Sequence, residues 1–208
     1  MKKAVLYIHG RGGNPGEAEH YRPLFPDCDV FGAEYPGDTP WEAAPELSAC
    51  FDDLAMRYSS VVLIANSIGA YFAVNALRDR KPERAFFISP VTDMEGLILG
   101  MMGREGVTEE ELERRKTVVT GSGEVLSWEY LTWVQAHPIR WQVPTHILCG
   151  ERDGLTDLSA MTRFAEDCGA DLTVMKGGEH WFHTEEQMRF LDGWIRDCLA
   201  RDAEASCG

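Results

Sequence analysis

Six short, mainly apolar runs punctuate the chain: Ala4 to Ile8, Asp29 to Phe31, Val61 to Ala65, Ala85 to Ile88, Thr145 to Cys149 and Leu172 to Met175. Their hydrophobicity is continuous rather than alternating, the pattern of strands covered on both faces and hence of a mostly parallel sheet. Helical patterns lie between them. Thr39-Pro40-Trp41-Glu42 combines an N-cap, a proline at the first helical position and a capping-box Glu, and Leu47, Phe51, Leu54, Ala55 and Tyr58 follow on one face. Thr184 and Gln187 form a second capping box ahead of Met188, Leu191, Ile195, Cys198 and Leu199. This alternation predicts one α/β domain over residues 1–208, with a doubly wound, mostly parallel sheet of about six strands and flanking helices.

One connection is longer than the rhythm allows. Residues 91–143 separate two predicted strands where a crossover with its helix needs roughly 30 residues. Met94, Leu97, Ile98, Met101 and Met102 recur there at helical spacing, and Thr108 with Glu111 opens a second, highly charged helix. The segment is therefore expected to be a small helical cap insert. Its apolar stripe suits either a pocket wall or plain packing, and Trp128, Tyr130 and Trp133 leave the same choice open.

Charge narrows the partners. Thirty-four Asp and Glu against 20 Lys and Arg give a net charge of -14, the wrong sign for neutralising nucleic-acid phosphates or binding an anionic bilayer. Cys28, Cys50, Cys149, Cys168, Cys198 and Cys207 include no C-x-x-C pair, so they read as free thiols of a reducing, cytoplasmic compartment. The apolar run near the N-terminus is too short for a signal peptide or a membrane span.

In an open parallel sheet, binding groups collect at the carboxyl ends of the strands. Three of these ends hold reactive residue types. After Val61 to Ala65 comes Asn66-Ser67-Ile68-Gly69, where a sharp strand-to-helix turn would push the Ser67 hydroxyl out of the sheet top. Ala65 and Gly69 are small enough for such a turn to clear its neighbours. Taken alone, Ser67 would serve as an ordinary N-cap. But Gly150-Glu151-Arg152-Asp153 follows the fifth run and Lys176-Gly177-Gly178-Glu179-His180 follows the sixth. Serine, acid and histidine thus stand in chain order, each at a strand end. The first run adds the glycine-rich loop His9-Gly10-Arg11-Gly12-Gly13-Asn14.

With these four motifs in register, the sequence resembles the α/β-hydrolase superfamily, and among it the small single-domain serine esterases, over nearly the whole chain. The resemblance implies Ser67 as nucleophile, His180 as general base and Asp153 as the acid that orients it. It also implies the backbone N–H groups of Arg11 and Ile68 as oxyanion hole, and His9 as a structural residue of that loop. Asp157 rivals Asp153 but fits a helix start, where the macrodipole explains it. His183 rivals His180 but directly precedes the Thr184 cap. The elbow carries Ala65 and Asn66 where the family more often has Gly and His, and Asn66 is expected to alter the hydrogen bonding there.

The implied activity is hydrolysis of carboxylic ester bonds in a small-molecule acyl substrate, with no cofactor or metal. Thioesterase, amidase and carbon-carbon bond hydrolase chemistry use the same triad, and a non-catalytic binding protein on the same fold is the alternative from another class. Oligomeric state leaves no trace in the sequence.

Overall fold

The computed structural model describes residues 2–205. In chain order these form β1 (Lys3–Ile8), a 3-10 helix (Pro15–Leu24), β2 (Cys28–Gly32), α1 (Pro40–Arg57), β3 (Val61–Asn66), α2 (Ile68–Ala76) and β4 (Arg84–Ile88). There follow α3 (Met94–Glu105), α4 (Glu109–Arg115), β5 (Thr117–Val119), β6 (Val125–Ser127), α5 (Trp128–Ala136), β7 (Thr145–Gly150), α6 (Leu158–Cys168), β8 (Asp171–Met175) and α7 (Glu185–Ala205).

The six predicted runs are the six strands of one sheet, in the order β2-β1-β3-β4-β7-β8. Every neighbouring pair runs parallel. Continuous apolar sequence is what such a sheet needs: Ala4, Val5, Leu6, Tyr7 and Ile8 in β1 and Leu63, Ile64 and Ala65 in β3 are all buried. Strand order reverses direction at β1, the position after which successive crossovers proceed towards β8. Tyr7, Ile64, Phe86 and Leu148 share one core with Phe25, Leu191, Trp194 and Ile195.

The helix starts follow local chemistry. Thr39 caps α1 by accepting the Glu42 N–H, and its hydroxyl donates to the Glu42 carboxylate at 2.7 Å. Ahead of α7, Thr184 accepts the Gln187 N–H, but the Gln187 side chain reaches one residue further back than a capping box requires and accepts the His183 N–H. The 3-10 helix was not among the predicted elements. It begins with a full capping box: the Asn14 side chain accepts the Gly16 N–H, Pro15 stands at the first position, and the Glu17 carboxylate accepts the Asn14 N–H.

Two units divide these elements, residues 1–92 with 140–208, and residues 93–139. In the second unit, α3 packs against α5 and β6. Met94, Ile98 and Met102 of the predicted stripe are buried. Beyond the expected helices, the unit contains the antiparallel hairpin β5-β6, turned through Gly121-Ser122-Gly123 with Gly123 at φ 88°. Strands of three residues are too short to show an alternation, which is why the sequence pattern passes over them.

Among the described residues, no helix is long and apolar enough to cross a membrane, and no group of His, Cys, Asp or Glu is arranged to hold a metal ion. Cys28, Cys50, Cys149, Cys168 and Cys198 are unpaired thiols, and Cys207 lies outside the described residues.

Candidate active site

Ser67 occupies the turn between β3 and α2 at φ 52° and ψ -123°. A non-glycine residue rarely adopts this conformation, because its Cβ crowds the backbone, at a cost of about 1–3 kcal/mol. Neighbouring strands hold it there. The Ser67 N–H donates to the Ile88 carbonyl at 2.9 Å, and the Ser67 carbonyl accepts the Val91 N–H at 3.2 Å. Although Ser67 directly precedes α2, its hydroxyl makes no capping hydrogen bond. Instead, Ser67 Oγ lies 2.8 Å from His180 Nε2.

Two small neighbours make the turn possible. Ala65 is fully buried in the sheet. Gly69 lies so close to the chain at Ile8 and His9 that a Cβ would overlap the His9 carbonyl. That carbonyl also accepts the Tyr35 hydroxyl at 2.5 Å, while the Tyr35 ring stacks on the His9 imidazole with centroids 4.5 Å apart. His9 therefore belongs to the support of the loop and bonds neither Ser67 nor Asp153.

The glycine-rich loop turns tightly over Ser67. The Gly13 N–H donates to the Gly10 carbonyl at 3.1 Å, and Gly12 sits at φ 73°, as the third position of such a turn demands. This puts Arg11 at the second position of the turn. A Cβ on Gly10 would lie 3.1 Å from Ser67 Cβ, so the loop packs directly on Ser67. Ile68 opens α2, where a backbone N–H has no carbonyl one turn back to bond.

His180 and Asp153 come from two loops joined along their backbones. Glu151 N–H donates to the Met175 carbonyl at 2.9 Å and Arg152 N–H to the Gly178 carbonyl at 2.8 Å. Gly150 and Gly178 approach so closely that a Cβ on Gly150 would overlap the Gly178 carbonyl. Gly177, at φ 70°, lets the chain turn back after β8 and donates its N–H to the Glu151 carboxylate at 2.8 Å. The result is a 2.7 Å hydrogen bond between His180 Nδ1 and Asp153 Oδ2. With Nδ1 carrying the proton towards Asp153, Nε2 is the acceptor that faces the Ser67 hydroxyl.

Asp153 is well fixed. Oδ1 accepts the N–H groups of Leu155 and Thr156 at 2.9 and 3.0 Å, and Oδ2 also accepts the Thr156 hydroxyl at 2.8 Å. Burial by itself would push this carboxyl up, but the hydrogen bonds from His180 and from the Thr156 and Leu155 backbone hold it below the ordinary carboxylate value. Thr156 and Tyr35 were absent from the sequence-predicted set. The Asp153-x-x-Thr156 spacing is the only local signal for the first; the second depends on a contact between separate elements.

The rivals go elsewhere. Asp157 caps α6 by accepting the Ser159 N–H at 2.8 Å. His183 Nδ1 donates to the Trp181 carbonyl at 2.7 Å, and its ring stacks on Trp181. Cys149, next to the acid loop, has its thiol pushed up to about 11 by burial and by Asp153, which leaves it protonated and unreactive near neutral pH. His20 pairs with Asp192 at 2.8 Å, His146 lies between Asp171 and Asp202, and His137 stacks on Trp133.

No family model and no curated protein matches the sequence. Solved structures do resemble it. Est1E from Butyrivibrio proteoclasticus superposes with a TM-score of 0.75 at 15% identity, covering 98% of this chain and 88% of its own. The mouse α/β-hydrolase domain-containing protein 10 gives 0.75 at 17% identity, over 95% of this chain and 90% of its own. A soluble variant of monoglyceride lipase from Saccharomyces cerevisiae gives 0.69 at 12% identity, over 97% and 87%. With its parallel six-stranded sheet and these neighbours, the chain has the α/β-hydrolase fold.

Proposed function

We propose that this protein is a serine hydrolase that cleaves carboxylic ester bonds of small acyl substrates. The observation that carries the reading is the unbroken hydrogen-bond chain from Ser67 Oγ through His180 to Asp153. In the first half-reaction, Ser67 Oγ attacks the acyl carbonyl carbon while its proton passes to His180 Nε2. The carbonyl oxygen becomes an oxyanion, held by the backbone N–H groups of Arg11 and Ile68. As the tetrahedral intermediate collapses, the carbon-oxygen ester bond breaks and His180 returns the proton to the leaving alcohol. Water then attacks the acyl-enzyme by the same steps, releasing the acid and restoring the Ser67 hydroxyl. Throughout, Asp153 keeps the Nδ1 proton in place and stabilises the transient imidazolium.

Several features support this assignment over a binding protein on the same fold. The Ser67 hydroxyl is diverted from helix capping to a base, and the turn that carries it is strained. A binder has no use for either. The ester class draws on the yeast neighbour, a monoglyceride lipase by name. The unpaired thiols fit a reducing, cytoplasmic setting.

The test is covalent labelling by a fluorophosphonate together with turnover of p-nitrophenyl acetate and butyrate. Labelling and turnover that both disappear in Ser67→Ala are expected. A wild-type protein that is neither labelled nor active, or an active Ser67→Ala, would overturn the reading.

A further inference from the structure

Glu17 is a charged residue with no part in the triad, yet it sits under the loop that carries Arg11. Its carboxylate accepts two donors from different elements. Oε1 takes the Asn14 N–H at 3.2 Å, at the far end of the glycine-rich loop, and Oε2 takes the Tyr7 hydroxyl at 2.5 Å. The loop is wrapped closely on this carboxylate. A Cβ on Gly13 would come within 2.9 Å of Oε1 and 3.0 Å of Oε2.

Tyr7 lies in β1, one strand in from the sheet edge, with Gly32 of β2 on one side and Ile64 of β3 on the other. Only 1% of its surface is exposed. Burial, together with Tyr21 and the Glu17 carboxylate, raises the phenol far above its ordinary range, so the hydroxyl remains a donor at every working pH. Asn66 immediately precedes Ser67, and its carbonyl packs on Gly10 at the near end of the loop. The loop is thus set against the elbow at one end and held by Glu17 at the other, and Tyr7 ties the Glu17 anchor to β1, which runs into the loop and pairs with β3, the strand that leads to Ser67.

A negative charge near an oxyanion hole opposes the charge that develops there. Glu17 therefore cannot assist the reaction by its field, and its contribution has to be geometric. An N–H group misplaced by an ångström forfeits most of its effect on the transition state.

We propose that Glu17 and Tyr7 are positioning residues that hold the Arg11 N–H in register with the Ser67 elbow; this rests on the serine-hydrolase reading above. Substrate binding in the ground state needs no such register, whereas the tetrahedral oxyanion does.

The experiment compares Glu17→Ala, Glu17→Gln and Tyr7→Phe with wild type on p-nitrophenyl butyrate and measures inhibition by a trifluoromethyl ketone, whose serine adduct places an oxyanion in the hole. Glu17→Ala should lower kcat about 10- to 100-fold with KM changed less than about 3-fold. The inhibition constant of the ketone should weaken in proportion to kcat/KM. Glu17→Gln retains an acceptor for the Asn14 N–H and should recover most of the rate, and Tyr7→Phe should fall between the two. Melting curves identify any variant that is merely unfolded, in which case the folded Gln and Phe variants decide. An active wild type with unchanged Glu17→Ala kinetics, or with KM rising in place of a fall in kcat, would overturn this inference alone. So would a Glu17→Gln variant faster than wild type, which would show the charge to be the dominant effect. A wild type that neither hydrolyses the ester nor takes up a fluorophosphonate would instead remove the serine-hydrolase reading and this inference with it.

Discussion

The histidine side of the site, at the ends of β7 and β8, is fastened backbone to backbone: two inter-loop hydrogen bonds and the Gly150–Gly178 contact leave His180 and Asp153 little freedom. The serine side, at the ends of β1, β3 and β4, adds to its backbone bonds a residue at φ 52° and side chains reaching up from below, Tyr35 to the His9 carbonyl and Glu17 to the Asn14 N–H. The difference teaches where each side is vulnerable. An added side chain damages both, at Gly150 and at Gly69; a polar atom removed from beneath the loop damages the second.

Deleting the reacting groups gives the largest effect and is indifferent to this contrast. Ser67→Ala and His180→Ala should each lower kcat by about 10⁴-fold or more, since members of a triad act as one unit. His183→Ala should remain within about 3-fold of wild type, because that ring bonds the Trp181 carbonyl and has no link to Ser67. Equal losses in the two histidine variants would break the assignment of roles within the histidine loop.

Asp153→Asn comes next, with kcat reduced by about 10⁴-fold as the imidazole loses the partner that fixes its tautomer. The same variant probes stability. Because the Asp153 carboxyl is held below its unfolded-state value, its contribution is fully present above about pH 3.9 and is lost as the pH falls through the folded-state value. Unfolding followed by tryptophan fluorescence between pH 2 and 6 should therefore show a shallower acid limb in Asp153→Asn than in wild type.

Gly150→Ala tests the backbone fastening. Its methyl group meets the Gly178 carbonyl, rigid backbone that cannot rotate away, so the loops must separate. A loss of about 1–3 kcal/mol in urea unfolding is expected, together with a fall in kcat as His180 leaves its register. A wild-type melting curve would show that the two loops yield more readily than their geometry implies.

The smallest effect sharpens the serine side. Ser67→Gly should be more stable than Ser67→Ala by up to about 1–3 kcal/mol, because glycine alone occupies φ 52° without crowding. Differential scanning calorimetry on the two inactive variants measures the strain stored for the nucleophile. Equal melting temperatures would mean that the turn holds none.

The sheet was legible because its four inner strands are buried on both faces, so residues such as Val61 to Ala65 had no reason to alternate, while the edge strands β2 and β8 are only partly covered. Ser67, Asp153 and His180 stand out by their places just beyond strand ends, and His183 falls away because it directly precedes the Thr184 cap. What escaped the sequence depends on elements far apart in the chain. Tyr35 meets His9 across 26 positions, and nothing local to a Glu-Tyr-Pro segment announces that contact. The 3-10 helix carried its own signature in Asn14-Pro15-Gly16-Glu17, but its buried Ala18, Tyr21 and Leu24 recur every three residues, a stripe that an α-helical template does not match. The hairpin of residues 117–127 failed for a different reason: its pattern is too short to read.

The strand order also sets a sequence of events in folding. Ser67 and His180 are 113 positions apart, and β7 can join β4 only by closing the loop of residues 89–144, which costs roughly 3–4 kcal/mol of chain entropy. β1 reaches β3 across residues 9–60, a closure of nearly the same length, so chain order decides the sequence: during synthesis β1 to β4 emerge before β7 and β8, and the Ser67 half of the sheet is able to form before His180 is made. A chain at that stage has Ser67 without His180 Nε2 beside it. On the serine-hydrolase reading, reactivity is withheld until β7 and β8 have docked, and the return of ester hydrolysis during refolding should lag behind the recovery of secondary structure.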